Sequence, residues 1–222
     1  MPERILIVRL SAVGDTILNL PVLCALRRHL PDAEIGWVVG RGASQILRGH
    51  DCLDRLFVLN PEDQKSPGAY LRFARSLRAW GPKVVLDAQG LTKSAGLGWL
   101  AGAKTRIGLA RSEFEGRELS TWLNTHVVAP QSEHVVDRGL ELLRPLGIEN
   151  PEIEFCVPDS SEHTAAVRES TRALGLPSRW ALLNVGAGWV SKLWPADRYA
   201  EVARHLADKW DLESVVLWGN AE

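Results

Sequence analysis

Ile5-Leu6-Ile7-Val8-Arg9-Leu10-Ser11-Ala12-Val13-Gly14-Asp15-Thr16 lies near the start of the chain and sets its fold class. Four apolar residues in a row read as a strand buried on both faces, because a strand with one wet face would alternate. A short loop with one glycine follows, and a helical pattern runs from Thr16 to Leu30. The same unit recurs along the chain. Strands are expected at Ile5–Leu10, Ile35–Val39, Leu56–Leu59, Val84–Asp87, Thr105–Leu109, Ala181–Val185 and Ser214–Trp218. Helices are expected at Thr16–Leu30, Gly68–Trp80, Thr92–Ala101, His134–Leu146, Glu162–Leu174 and Pro195–Trp210. Apolar strands separated by helices predict an α/β fold with parallel sheets and right-handed crossovers, in Rossmann-like layers.

A break falls at Gly147–Ser161, where Gly147, Pro151, Pro158 and Asp159-Ser160-Ser161 have the composition of a linker. Two domains are therefore expected, 1–150 with a set of five strands and 151–222 with two. A two-stranded parallel sheet is too small to cover itself, so the second domain reads as partial.

Composition narrows the function. The 222 residues carry a formal net charge of −1, so no global field recruits nucleic acid or an anionic membrane, and anion binding must be local. Cys24, Cys52 and Cys156 are far apart in sequence, which argues against a disulfide framework or a zinc site and suits a reducing cytoplasm. No signal peptide or membrane-spanning run is evident. The expected location is cytoplasmic, either free or peripheral on that face of a membrane. Of the 9 tryptophans, most are expected in the core.

Ligands of open α/β sheets collect at the carboxyl ends of strands, and four such loops carry unusual polar residues. In Arg9–Asp15 there is neither a dinucleotide fingerprint nor a Walker loop. Gly14 suits a tight turn or a close backbone approach, and Asp15 stands near a helix start, where capping explains it as simply as function does. Asp87-Ala88-Gln89-Gly90-Leu91-Thr92-Lys93-Ser94 offers sugar or phosphate partners; the plainer account is a satisfied strand-end Asp87 with Thr92 capping the next helix. Asn184-Val185-Gly186-Ala187-Gly188 combines small residues with Lys192 and with Pro195 at a helix start, a pattern that suits a pyrophosphate. Trp218-Gly219-Asn220-Ala221-Glu222 ends on a carboxylate able to accept from ribose hydroxyls. Arg72, Arg75 and Arg78 form a stripe on one helix, read either as a solvated face or as a contact for an acidic acceptor or lipid phosphates. Arg106, Arg111 and Arg117 flank the loop after the fifth strand, where they suit an anion pocket, and His134 and Arg138 share a helix face at i, i+4, read equally as surface residues.

Taken together, Ile7–Asp15, Asp87–Ser94, Lys192-Leu193-Trp194-Pro195 and Trp218-Gly219 resemble the ADP-heptose:lipopolysaccharide heptosyltransferases of glycosyltransferase family nine. Arg117-Glu118 and His134-Val135-Val136-Asp137-Arg138 add to the likeness, which covers essentially the whole chain. The resemblance implies a GT-B fold: two Rossmann-like domains facing across a cleft, the first for acceptor, the second for nucleotide-sugar. It implies an inverting, metal-independent transfer of heptose from ADP-heptose to the Kdo/heptose inner core, with no cofactor. By the same likeness Asp15 is the general base, and Lys192 with the Gly186, Ala187 and Gly188 backbone holds the donor diphosphate. Glu222 falls at the donor ribose. Arg9, Ser11, Gly14, Gln89, Lys93 and Arg117 fall on the acceptor side.

Some positions depart from the family. Leu18 stands where heptosyltransferases acting first on the core often carry a histidine, and Ala187-Gly188 replaces a hydroxyl pair near the diphosphate. The family's later Asp-Thr-Gly donor loop has no counterpart within these residues, so the chain alone is expected to bind donor weakly and turn over little. The alternative expectation is a non-catalytic module that binds an anionic saccharide or lipid headgroup.

Overall fold

The computed structural model describes residues 3–110, 119–158, 161–187 and 190–219. The chain divides into two compact units, Met1–Pro158 and Asp159–Glu222.

The first unit is built on strands β1 (Arg4–Val8), β2 (Glu34–Gly40), β3 (Arg55–Leu59), β4 (Val84–Asp87), β5 (Thr105–Leu109) and β6 (His126–Val128). All pair in parallel, in the order β3-β2-β1-β4-β5-β6. That is the doubly wound Rossmann order. Its helices are α1 (Val13–Leu18), α2 (Leu20–His29), α3 (Pro61–Lys65), α4 (Pro67–Trp80), α5 (Thr92–Leu100), α6 (Ser120–Leu123) and α7 (Val135–Glu141).

The apolar run in β1 is buried on both sides, as its sequence requires. Ile5 and Ile7 point into a core shared with Leu20, Leu23 and Leu26 of α2 and with Val136 and Leu140 of α7. Leu6 and Val8 point the other way, against Ala74 and Leu77 of α4 and Leu97 of α5. Each fully buried aliphatic side chain contributes roughly 1.5–3 kcal/mol, so this strand is firmly held in the scaffold.

The second unit contains α8 (Ser161–Ala173), β7 (Trp180–Asn184), α9 (Ala196–Trp210) and β8 (Glu213–Leu217). β7 and β8 pair in parallel. The α/β, GT-B-type reading of the fold is thus correct.

Several details differ from the sequence reading. The first sheet has six strands, not five: β6 is only three residues long, two of them exposed, and is too short to show periodicity. The expected helix Thr16–Leu30 is two helices, divided at Asn19 ahead of Pro21, whose missing N–H and ring suit a first turn rather than a helix interior. The expected helix His134–Leu146 ends at Glu141, and a 3-10 turn, Arg144–Leu146, follows around Pro145. The first unit extends to Pro158 rather than residue 150, because Arg28 pairs with Glu152 (2.6 Å) and Glu154, and Phe155 packs on the core. Most tryptophans are not core: Trp37 and Trp80 are buried, whereas Trp99, Trp122, Trp194, Trp210 and Trp218 are exposed.

The three cysteines, remote in sequence, are neighbours in space. Burial pushes the Cys24 thiol well up, and Cys156 and Cys52 add to the shift. All three are free thiols. No described helix is long and apolar enough to cross a membrane.

Candidate active site

The strand order places a topological switch between β1 and β4. From β1 the chain turns to α1 and α2 on one face of the sheet, and from β4 it turns to α5 on the other. The two loops diverge and leave a crevice at the carboxyl ends of the strands, the usual ligand position in such sheets.

Gln89 ties the loops together. Its Oε1 accepts from Leu10 N (2.6 Å) and Ser11 N (3.3 Å), and its Nε2 donates to Ser11 Oγ (3.4 Å). On the far side, Leu10 is fixed by β2: its carbonyl accepts from Gly40 N at 2.8 Å. A Cβ on Gly40 would sit 2.6 Å from that same oxygen, so only glycine lets β2 and the loop approach this closely.

Arg9 leaves the end of β1 and turns inward, with its side chain 15% exposed. One guanidinium nitrogen donates to the Ala88 carbonyl, and Nη2 lies 2.6 Å from Asp15 Oδ2. Asp15 is the third residue of α1, and the same Oδ2 accepts from Ala12 N at 3.1 Å. The capping role read from sequence is therefore real, and it occupies one oxygen. Oδ1 accepts no hydrogen bond from a described residue, and the side chain is 43% exposed. A carboxylate held by one oxygen with the other open is aimed and still able to take a proton.

Gly14 corrects the tight-turn expectation. It lies within α1, and a Cβ there would meet nothing within 4 Å, so its effect is to leave open space beside Asp15.

Asp87 is fully buried and structural. Its Oδ1 accepts from Gly90 N (3.0 Å) and Gln89 N (3.3 Å), and its Oδ2 accepts from Asn124 Nδ2 (3.5 Å). Burial pushes its pKa up, and hydrogen bonds from Ser94, Gly90, Asn124 and Gln89 oppose the shift. The satisfied strand-end reading is the one observed. Thr92 does not cap α5. Ser94 does, its Oγ accepting from Leu91 N at 3.1 Å, while Thr92 Oγ1 accepts from Leu119 N.

Beside these loops lies a cavity of about 860 Å³, well within the size range of small-ligand sites. Ser11, Gln89 and Lys93, all expected on the acceptor side, line it. Gln64, Lys65 and Tyr70 line it as well, and sequence reasoning missed them. The Pro61 and Pro67 helix starts that bring them there were the available signal. Lys93 Nζ donates to Gln64 Oε1 (3.2 Å), and the Tyr70 hydroxyl donates to the Lys93 carbonyl (2.6 Å). Asp15 does not line the cavity; it accepts from the N–H of Ala12, the residue next to Ser11, which does.

In the second unit, the loops leaving β7 and β8 meet. Asn184 Oδ1 accepts from Gly186 N at 3.1 Å, and a Cβ on Gly186 would lie 3.6 Å from Gly219 N. Ala187 is exposed beside it. Lys192 ends a 3-10 turn, Val190–Lys192, ahead of α9 and is exposed. Trp194 packs edge-on against Tyr199 of α9, with centroids 5.0 Å apart, which anchors that turn to the helix. Gly188, Glu222, Arg111 and Arg117 lie outside the described residues. No group of three or more metal-ligating side chains occurs among the described residues.

Comparison with known proteins agrees with this layout. The chain is 26% identical over 226 residues to lipopolysaccharide heptosyltransferase 1 of Pseudomonas aeruginosa, covering 98% of this chain and 61% of that protein. It is 27% identical over 225 residues to lipopolysaccharide heptosyltransferase 1 of Escherichia coli K12, covering 97% and 68%. Among solved structures, a family 9 glycosyl transferase from Veillonella parvula shares its fold with a TM-score of 0.82 at 23% identity, covering 96% of this chain and 62% of that one. E. coli heptosyltransferase WaaC with ADP matches with a TM-score of 0.75 at 25% identity, covering 98% and 67%. The chain thus spans about three fifths to two thirds of the length of these proteins. The family model described as glycosyltransferase family 9 (heptosyltransferase) matches residues 70–222, and the chain belongs to that family.

Proposed function

We propose that the protein is an inverting, metal-independent glycosyltransferase that moves heptose from ADP-heptose to the inner core of lipopolysaccharide. It needs no cofactor, and it works on the cytoplasmic side of the inner membrane. The observation that carries the reading is the Asp15 carboxylate at the β1/β4 crevice, with Oδ2 held by Arg9 and Ala12 and Oδ1 open.

An acceptor sugar hydroxyl attacks the anomeric carbon of the donor, and its proton passes to Asp15. The new carbon–oxygen bond forms as the bond to the diphosphate breaks, so the anomeric centre inverts and ADP leaves with the electron pair. Lys192 and the Ala187 N–H stabilise the charge that gathers on the leaving diphosphate, and Gly186 lets it approach the backbone. Gly188 and Glu222 belong to the same proposed donor set, and Arg117 to the acceptor set. In the first unit, Lys93 and Lys65 on the cavity wall suit an acidic acceptor, with Ser11 and Gln89 as neutral hydrogen-bonding partners. The complexes of E. coli WaaC with ADP and with ADP-2-deoxy-2-fluoro heptose support ADP-heptose as donor.

Asp15→Asn tests the assignment in the full-length protein. Asparagine keeps an oxygen for Ala12 N and removes the base, so ADP release in the presence of acceptor should fall by about 10²- to 10⁴-fold, with the melting temperature nearly unchanged. Transfer near the parent rate by a folded variant would remove Asp15 from the mechanism.

A further inference from the structure

The chain as a whole is nearly neutral, yet one stretch of it is not. Between residues 66 and 110 there are seven basic residues, Arg72, Arg75, Arg78, Lys83, Lys93, Lys104 and Arg106, and a single acid, Asp87. Asp87 is buried and faces inward to the loop amides. Helices α4 and α5 of this stretch pack side by side on one face of the sheet, and their outer surface therefore carries positive charge alone.

Arg72, Arg75 and Arg78 are exposed at three-residue spacing along α4, Lys83 follows the helix, and Lys104 follows α5. None of these five forms an ion pair with a described residue. Like charges three apart on a helix repel, and solvated helix faces usually relieve this by mixing signs. This face does not. It also presents apolar side chains: Leu71 on α4 is exposed, Trp99 on α5 is 57% exposed, and Trp122 on α6, which packs on α5, is 86% exposed. Exposed arginines together with exposed indoles on packed helices match the chemistry of a bilayer interface. A nucleic acid would answer the charge and leave Leu71 and Trp122 without purpose.

We propose that the outer face of α4, α5 and α6 docks on a bilayer bearing anionic phospholipid headgroups. Arg72, Arg75, Arg78, Lys83 and Lys104 meet the phosphates, and Trp99 and Trp122 enter the headgroup layer. Pro67 and Tyr70 at the start of α4, and Lys93 and Gly96 of α5, line the acceptor cavity. The docked face therefore continues into the cavity wall and brings it to a membrane-borne substrate. The inference rests on the proposed function for this purpose only.

The test is co-sedimentation of the full-length protein with phosphatidylcholine vesicles, with and without phosphatidylglycerol. The vesicles contain no acceptor or donor, so failure here and failure of glycosyl transfer are separate results. Binding is expected only to the anionic vesicles and should weaken steeply with salt. The variant Arg72→Ser/Arg75→Ser/Arg78→Ser should bind about a hundredfold more weakly, at several-fold per charge removed. Trp99→Ser should weaken binding with less change in salt dependence; both variants alter exposed side chains, and thermal melting checks that they fold. Equal binding to neutral and anionic vesicles, no binding to either, undiminished binding by the triple variant, or retention on duplex DNA without vesicle binding would each overturn the proposal.

Discussion

The two units use the same strand–loop–helix grammar and reach opposite states of burial. In the first, every residue of β4 and all but the first of β1 is buried, and helices cover the sheet on both faces. In the second, α9 buries no residue, and Leu182 of β7 and Val216 and Leu217 of β8 are exposed. Six strands with helices on both faces bury their own apolar side chains, whereas two strands with two helices leave many of theirs exposed. In the proposed transfer the base must be held closely, and Asp15 stands in α1, just beyond the buried strand β1, with Oδ2 held by Arg9 and Ala12. The proposed diphosphate site needs an exposed backbone donor and a cation, and Ala187 and Lys192, both exposed, would supply them from a surface loop.

The largest contrast lies in cavity formation. Leu86→Ala in β4 should cost ~2–5 kcal/mol, whereas Leu182→Ala in β7, 54% exposed, should cost about 0.5 kcal/mol or less. Urea unfolding of the two variants decides the matter, and equal losses would break the comparison. A smaller contrast concerns the side chains that hold the loops. Gln89→Ala leaves Leu10 N and Ser11 N without their acceptor and should cost roughly 1–2 kcal/mol. Asn184→Ala removes one exposed bond to Gly186 N and should cost about half a kcal/mol or less. Thermal unfolding measures both, and a larger loss for Asn184→Ala would reverse the assignment of rigidity.

The smallest effect is a pH dependence confined to the first unit. Burial pulls the His50 pKa below the usual histidine range, against the opposing effects of Phe155 and Asp51. The folded state therefore binds the proton less readily than the unfolded chain. Stability is full above about pH 6.5 and declines as pH falls through the lowered folded value. Melting temperatures between pH 7.5 and 5 should fall less for His50→Gln than for the parent. Parallel curves would show that His50 contributes nothing to this window.

What could be read from sequence follows the range of the interaction. β1, β4 and β5 were recognisable because local apolar runs were enough to identify them, and the catalytic candidate was legible as a polar residue at the end of the first. β6 was not, since its three residues have partners only through the sheet. Asp87 was ambiguous because a buried strand-end acid and a ligand-binding acid look alike until their hydrogen-bond partners are known. Thr92 was the expected cap, and the backbone geometry instead brings Ser94 Oγ to Leu91 N. Lys65 and Tyr70 entered the site through the placement of α3 and α4, which depends on tertiary packing rather than on any motif. The tryptophan expectation failed because composition gives the number of large side chains and not the amount of core available to them.

The ion pairs of Arg28 with Glu152 and Glu154 bear on where the gene can be divided. A fragment ending at residue 150 would strip Arg28 of both partners and uncover the surface on which Phe155 packs. One ending at Pro158 keeps the clasp closed, so a division of the two units belongs on the far side of that proline.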